Sequence, residues 1–276
     1  MIQQPIYDKR KKTDLRLEVF ISSLQKQPVE VPSKFPSVKK YICKCTQILD
    51  LTHDIKQFRL EFKELETIDY TPGQYVWLST PICEKNSKEI YRTFSISSDP
   101  ADKSAIELII RLVPGGICTT YLFEHLKVGE EVKIRGPYGK FRLSDSDAPI
   151  VFIAGGSGMA PVKCILHYMK NTGNKRKTTY YFGANNVKEL FHLELMRQFE
   201  SELADFRFVP TVAAPDAGET WDGQKGLVTE TVKRDLKNAP ECEAYLCGSP
   251  GMIDAGIKVL KELGMTEDRI FYDKFE

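Results

Sequence analysis

The sequence has no run of about twenty consecutive apolar residues, so a helical membrane span is excluded on hydropathy. Its first residues, Met1 to Lys12, lack the apolar centre of a secretory leader, and a cytoplasmic location is expected. An excess of one charge sign is also missing. The chain carries 39 Lys+Arg against 38 Asp+Glu, a formal net charge of +1, which leaves no electrostatic reason to propose nucleic acid as the partner. Metal-ligand spacing is scarce as well. The four histidines are dispersed, and the Cys-x4-Cys-x2-Cys spacing of a plant-type iron–sulfur site is absent. His192-Leu-Glu194 has the first half of a zinc deaminase pattern, but Cys242 and Cys247 are too far apart for the second half. No metal site is therefore expected, and the seven scattered cysteines read as reduced thiols rather than a disulfide framework.

What is present is enough for two cores: 276 residues with 42% hydrophobic content. Residues 1–38 differ from the rest. Leu17, Phe20, Ile21 and Leu24 fall at helical spacing, and the three prolines of Gln27 to Pro36 then suggest an extended linker. This arm is expected to fold onto its own chain; docking to a partner is the alternative. From Tyr41 to Leu143 short strand-like runs alternate with turn residues: 41–49, 56–62, 74–78, 92–97, 106–113 and 131–135, with one helix over 119–126. That pattern predicts an antiparallel six-stranded barrel or sandwich in a domain spanning 39–147.

After Ala148-Pro149 strands and helices alternate. Strands are expected at 150–154, 178–183, 207–212, 244–247 and 270–272, with helices at 160–169, 192–203, 229–236 and 252–263. This predicts a doubly wound parallel sheet over 148–276, whose ligands bind beyond the carboxyl ends of its strands. Ile150 to Ala154 runs straight into Gly155, Gly156 and Gly158, and then into a helix containing Pro161. Such a turn offers backbone N–H groups and a helix N-terminus to a phosphate, although an ordinary strand-to-helix turn would read the same way. In the first half, Arg92 lies mid-strand in Arg92-Thr-Phe-Ser95, where its planar fork suits phosphate, and Gly115-Gly-Ile-Cys-Thr-Thr-Tyr121 opens a helix.

Taken in order, Arg-x-aromatic-Ser, Gly-x-x-Thr, Gly-Gly-x-Gly-x-Ala-Pro and Cys247-Gly-Ser-Pro250 resemble the ferredoxin-NADP reductase family. The resemblance runs from about residue 39 to the C-terminus. Pro72-Gly-Gln-Tyr-Val76, Arg135-Gly-Pro-Tyr-Gly-Lys-Phe141 and the terminal Tyr272-Asp-Lys-Phe275 support it. It is closest in character to reductase modules of oxygenases and of sodium-pumping quinone reductase.

The resemblance implies a flavin-binding barrel followed by a nucleotide-binding domain, with FAD and NAD as cofactors. Arg92, Thr93, Phe94 and Ser95 would hold the flavin, and Gly116, Ile117, Cys118 and Thr119 its pyrophosphate. Relatives more often carry tyrosine at the position of Phe94. Gly155, Gly156, Gly158 and Pro161 would shape the nicotinamide nucleotide's phosphate site, with Cys247 and Gly248 beside the nicotinamide and Phe275 over the other flavin face. Ser95, Cys247 and Phe275 are the expected catalytic set. The implied activity is hydride transfer from NADH to FAD, then single-electron transfer to a separate iron–sulfur or haem protein, with membership of a larger redox complex compatible. A reductase of a small diffusible acceptor, or a non-catalytic sensing subunit, are the alternatives.

Overall fold

The computed structural model describes residues 36–63, 66–81 and 89–275. The helix expected over Leu17–Leu24, and all but Pro36 of the linker after it, lie outside the described residues. Six antiparallel strands come first: β1 (Lys39–Asp50), β2 (Ile55–Phe62), β3 (Tyr75–Thr80), β4 (Ile90–Ser95), β5 (Ala105–Arg111) and β6 (Glu131–Tyr138). Alternation is clearest where one face of the sheet is open to water. In β1, Tyr41, Cys43 and Cys45 are buried while Lys40, Ile42 and Lys44 are exposed, the period of two that a pleated backbone imposes.

The sheet order is β4-β3-β6-β1-β2-β5, and the two edge strands meet only at the single bridge between Ile96 and Leu108. The barrel is therefore closed at that point, while among the described residues β4 keeps a free edge along its earlier part. Phe58, Leu60, Val76, Leu78, Ile106 and Leu108 fill the interior.

The second sheet is wholly parallel: β7 (Ile150–Gly155), β8 (Thr178–Ala184), β9 (Phe206–Val212), β10 (Gln224–Lys225), β11 (Glu243–Gly248) and β12 (Ile270–Lys274), in the order β10-β9-β8-β7-β11-β12. A short helix of the first half, α1 (Ile117–Thr120), precedes four longer ones in the second. These are α2 (Met159–Thr172), α3 (Leu193–Glu202), α4 (Val228–Asp235) and α5 (Pro250–Glu262). Helices α2 and α3 cover one face of the sheet, and α4 and α5 the other. From β7 the chain winds outward through β8 and β9, then returns to β11 on the other side. The strand order thus reverses between β7 and β11, which places the ligand crevice of such a sheet beyond their carboxyl ends.

Beneath the segment joining the halves lies a buried polar knot. Arg176, whose side chain is 5% exposed, donates to Ala148 O at 2.6 Å and to Glu243 at 2.7 Å. Burial alone would raise the Glu243 carboxyl, but hydrogen bonds from Ser144, Arg176, Ser146 and Tyr245 outweigh it and hold the group at about 2. A carboxyl so depressed contributes stability that is present above its unfolded value of about 4.3 and is lost as pH falls towards 2. Glu243→Gln, which leaves Arg176 buried without its counter-ion, is expected to cost about 3 kcal/mol at pH 7. Urea unfolding at pH 7 and pH 3 checks this: the gap between variant and wild type should narrow on acidification, and a constant gap would contradict the assignment.

Candidate active site

Gly155 ends β7, Gly156 to Gly158 form one tight turn, and α2 begins at Met159. The turn is pressed against β11. A Cβ on Gly158 would lie 2.3 Å from the carbonyl oxygen of Cys247, so only glycine lets the helix start this close to the strand. Gly156 takes φ +53°, and the Arg111 guanidinium sits 3.0 Å from where its Cβ would be. Arg111 comes from β5 of the barrel. Its Nε is 3.0 Å from Asp54 and its Nη2 is 3.8 Å from Glu189. The glycine turn therefore presents backbone N–H groups, a helix N-terminus and a cation from the other half, which is chemistry suited to a pyrophosphate.

Beside this turn the end of the chain folds back. β12 pairs with β11 so that Asp273 lies opposite Cys247, and the Phe275 N–H donates to Gly248 O at 2.9 Å. Asp273 is raised above the usual carboxylate range by burial, partly offset by a hydrogen bond from the Ser95 hydroxyl of β4. Cys247 is fully buried, and burial together with Asp273 pushes its thiol well above the ordinary range. Such burial suits a packing group rather than a nucleophile. Ser95, Cys247, Asp273 and Phe275, contributed by three separate strands and the chain's end, converge where the two halves meet.

The flavin-side candidates occupy both faces of one strand. Arg92 and Phe94 share a face of β4 with the buried Val76 and Leu78 of β3; Thr93 and Ser95 share the other with Trp77 and Tyr75. Phe94 is half-buried against the barrel core, and Thr93 is exposed. Arg92 is exposed, and its only bond among the described residues is a donation to Tyr91 O at 2.9 Å. It stands near Cys118, whose thiol burial pushes up to about 11 while Arg92 pulls against the shift.

Gly116 is required by its loop, since a Cβ there would lie 2.9 Å from the Thr119 hydroxyl. That hydroxyl accepts from Val113 N–H at 3.1 Å and donates back to the carbonyl of the same residue, so Thr119 holds the loop's shape. No side chain caps α1, and its first N–H groups, beginning with exposed Ile117, are open to an anion. An arginine with no acidic partner among the described residues, open amides and the β4 edge together fit a flavin dinucleotide. Among the described residues no group of three or more His, Cys, Asp or Glu could hold a metal ion.

Asp273 and Arg111 are the two site residues that sequence reasoning missed. Asp273 had a faint signal, an acid on the inward phase of the last strand beside Phe271. Arg111 had none, because its relation to Gly156 exists only once the halves are docked.

Residues 42–143 match the oxidoreductase FAD-binding domain and residues 152–257 the oxidoreductase NAD-binding domain. The reductase component of propane 2-monooxygenase from Mycolicibacterium goodii is 35% identical, across 81% of this chain and 64% of that protein. The chain thus spans a little under two thirds of the length of such relatives. A component of the Na(+)-translocating NADH-quinone reductase of Neisseria meningitidis is 31% identical, across 94% of this chain and 74% of that one. The crystal structure of a cytochrome P450 reductase from Amycolatopsis superposes with a TM-score of 0.78 at 27% identity, over 88% of this chain and 71% of that one. A barrel with an open-edged β4, a parallel sheet with a glycine turn at its switch point, and these matches agree: the chain belongs to the ferredoxin reductase-like family of FAD- and NAD-binding oxidoreductases.

Proposed function

We propose that this chain takes hydride from NADH onto FAD and passes the electrons singly to a separate iron–sulfur or haem protein. The observation that carries the reading is that β5, bridged to Ile96 beside Ser95, also sets Arg111 against Gly156 of the glycine turn. It draws the flavin strand and the nicotinamide crevice to one point. Flavin supplies the redox chemistry, accepting two electrons together and releasing them one at a time.

The chain's own residues bind, orient and shield. Arg92 and the amides after Gly116 take the FAD pyrophosphate, while Phe94 and the free edge of β4 seat the ring system. Arg111 and the turn at Gly155 to Gly158 take the nucleotide's pyrophosphate. Ser95 is oriented by Asp273, Cys247 packs beneath the nicotinamide position, and Phe275 covers the site until the nucleotide displaces it. The relatives named as reductase components of oxygenases support delivery to a separate protein. Anaerobic reduction of the bound flavin by NADH, followed by oxidation with a one-electron acceptor protein, tests the whole reading; flavin that NADH leaves oxidised would end it.

Two expected results follow from the same geometry. Acid release should yield FAD and not FMN, because Arg92 and the amides of Ile117 and Cys118 form a site for a second phosphate that FMN lacks. Chromatography against both standards decides, and recovery of FMN alone would overturn the pyrophosphate assignment.

The second result concerns the nucleotide. Beyond β8 and β9 the segments reading Gly183-Ala-Asn-Asn186 and Ala213-Ala-Pro-Asp216 contain no cation. The nearby Lys188 is held by Asp216 at 2.7 Å, which neutralises it as a partner for a 2′-phosphate. Two charge-assisted contacts forgone, at about 1.5 to 3 kcal/mol each, favour NADH over NADPH by roughly a hundredfold or more. Stopped-flow flavin reduction with each nucleotide measures the ratio, and equal efficiencies would contradict it.

A further inference from the structure

The outer face of β2 and β5 is not a wet barrel surface. Ile55 and Ile109 on that face belong to the core of the nucleotide domain, and Gln57, Glu107 and Arg111 lie beside them in register. Lys163 of α2 reaches this face. Its side chain is 4% exposed, with Nζ 2.6 Å from Glu107 Oε2 and 3.3 Å from Gln57 Oε1. Gln57 Oε1 also lies 3.0 Å from His192 Nε2. Burial and the neighbouring Lys163 push that imidazole down to about 4, so it is neutral at physiological pH and donates from Nε2. His192 is the one non-glycine residue with positive φ among those described, at +54°. A backbone held in this costly conformation persists only where its surroundings enforce it. On the barrel side Glu107 has a second cation, Arg59, at 3.9 Å.

A lysine buried to this degree gains little net stability from its ion pair, because desolvation offsets the attraction. What the pair supplies is direction. The contacts of Ile55 and Ile109 hold the halves together without fixing how one slides over the other, whereas a buried ammonium between a carboxylate and an amide tolerates little displacement. Lys163 is also well placed to transmit that constraint. It lies four residues after Met159, about 6 Å along a rigid helix from the glycine turn. Glu107 sits on β5, whose Leu108 forms the bridge to Ile96 that closes the barrel beside Ser95. One rigid path therefore runs from Ser95 through β5 and Glu107 to Lys163, α2 and the turn at Gly158.

We propose that the Lys163–Glu107 pair is a positioning device that sets the register of the nucleotide domain on the barrel, and so the alignment of hydride donor and acceptor. This rests on the function proposed above. It assigns Lys163 no contact with either cofactor, so its loss should act on rate and leave binding intact.

The test combines stopped-flow reduction with hydrogen–deuterium exchange. In Lys163→Met the limiting rate of FAD reduction should fall about 10- to 100-fold, the scale of a misplacement near 1 Å. FAD content and NADH affinity should stay at wild-type values, and amides of residues 155–165 should exchange faster without nucleotide. Lys163→Arg, which keeps the cation, should recover most of the rate. Should Lys163→Met fail to fold, Glu107→Gln removes the same attraction with a smaller change and must show the same split. A fully FAD-loaded variant with unchanged rate and exchange overturns the proposal, as does a rate that falls only in proportion to lost FAD. Wild-type FAD that NADH does not reduce would instead refute the function, and the exchange comparison would still judge the pair.

Discussion

An alanine at Gly158 is expected to lower NADH-dependent flavin reduction by more than about a hundredfold, and to cost roughly 3 kcal/mol of stability. The added methyl would sit 2.3 Å from the carbonyl oxygen of Cys247, 2.7 Å from its carbonyl carbon and 3.0 Å from Gly248 Cα. All three are backbone atoms of β11, which is bonded to β7 on one side and β12 on the other, so no side chain can rotate away. The turn itself has to move, and with it the amides that meet the nucleotide's phosphates. Gly251→Ala is the matched control. Its Cβ would meet nothing within 4 Å, φ is not positive there, and the residue is exposed. It should leave the rate unchanged and alter stability by no more than about 1 kcal/mol. Thermal melts and stopped-flow traces of the two variants separate the outcomes, and a Gly158→Ala protein with wild-type kinetics would mean that the turn does not form the phosphate site.

The elements were legible wherever burial has a local period. Alternation in β1 and the unbroken apolar run of β7 announce a strand open on one face and a strand covered on both, and the structure has them so. The helix expected over 119–126 begins earlier, at Ile117, because the loop at Gly116 lets the chain turn into it directly, and after Thr120 it continues as a wider π-helical turn over Tyr121–His125. The two-residue β10 was invisible, being defined by its partner β9 and not by its own composition. The site was half legible. Motif order brought out Arg92, Ser95, the glycine turn and Phe275, the parts to which the proposed function gives cofactor contacts through backbone or a single side chain. Asp273, Arg111, Lys163 and Glu243 were missed for one reason. Each does its work by meeting a residue far away along the chain, and only tertiary packing creates that meeting.

Asp273 yields the other large effect, with opposite signs for activity and stability. Its carboxyl is raised by burial, so the native state holds the proton more tightly than the unfolded chain does. The associated stability is fully present below the unfolded value of about 3.9 and is lost as pH rises through the folded one. As pH rises the wild type therefore takes on the penalty of ionising a poorly solvated carboxylate, with the Ser95 hydroxyl pulling against it. Asparagine has nearly the same shape, still accepts from Ser95 and never ionises. Asp273→Asn is expected to melt higher than wild type at pH 7, with an advantage that vanishes near pH 4, grows above it and then levels off. The same change removes an acid able to hold a proton beside Ser95 Oγ and pass it through that hydroxyl, and turnover should fall about a hundredfold, within the range for loss of a positioned acid–base group. Ser95→Ala should reproduce the loss of turnover without the gain in melting temperature, since it removes the hydroxyl that favours the carboxylate. Melting curves at pH 4, 5, 6 and 7, set beside steady-state rates, decide the matter. A variant that melts lower at pH 7 would show that the charge of Asp273 is compensated in the native state, and unchanged turnover would leave Asp273 as a strand residue with no part in the chemistry.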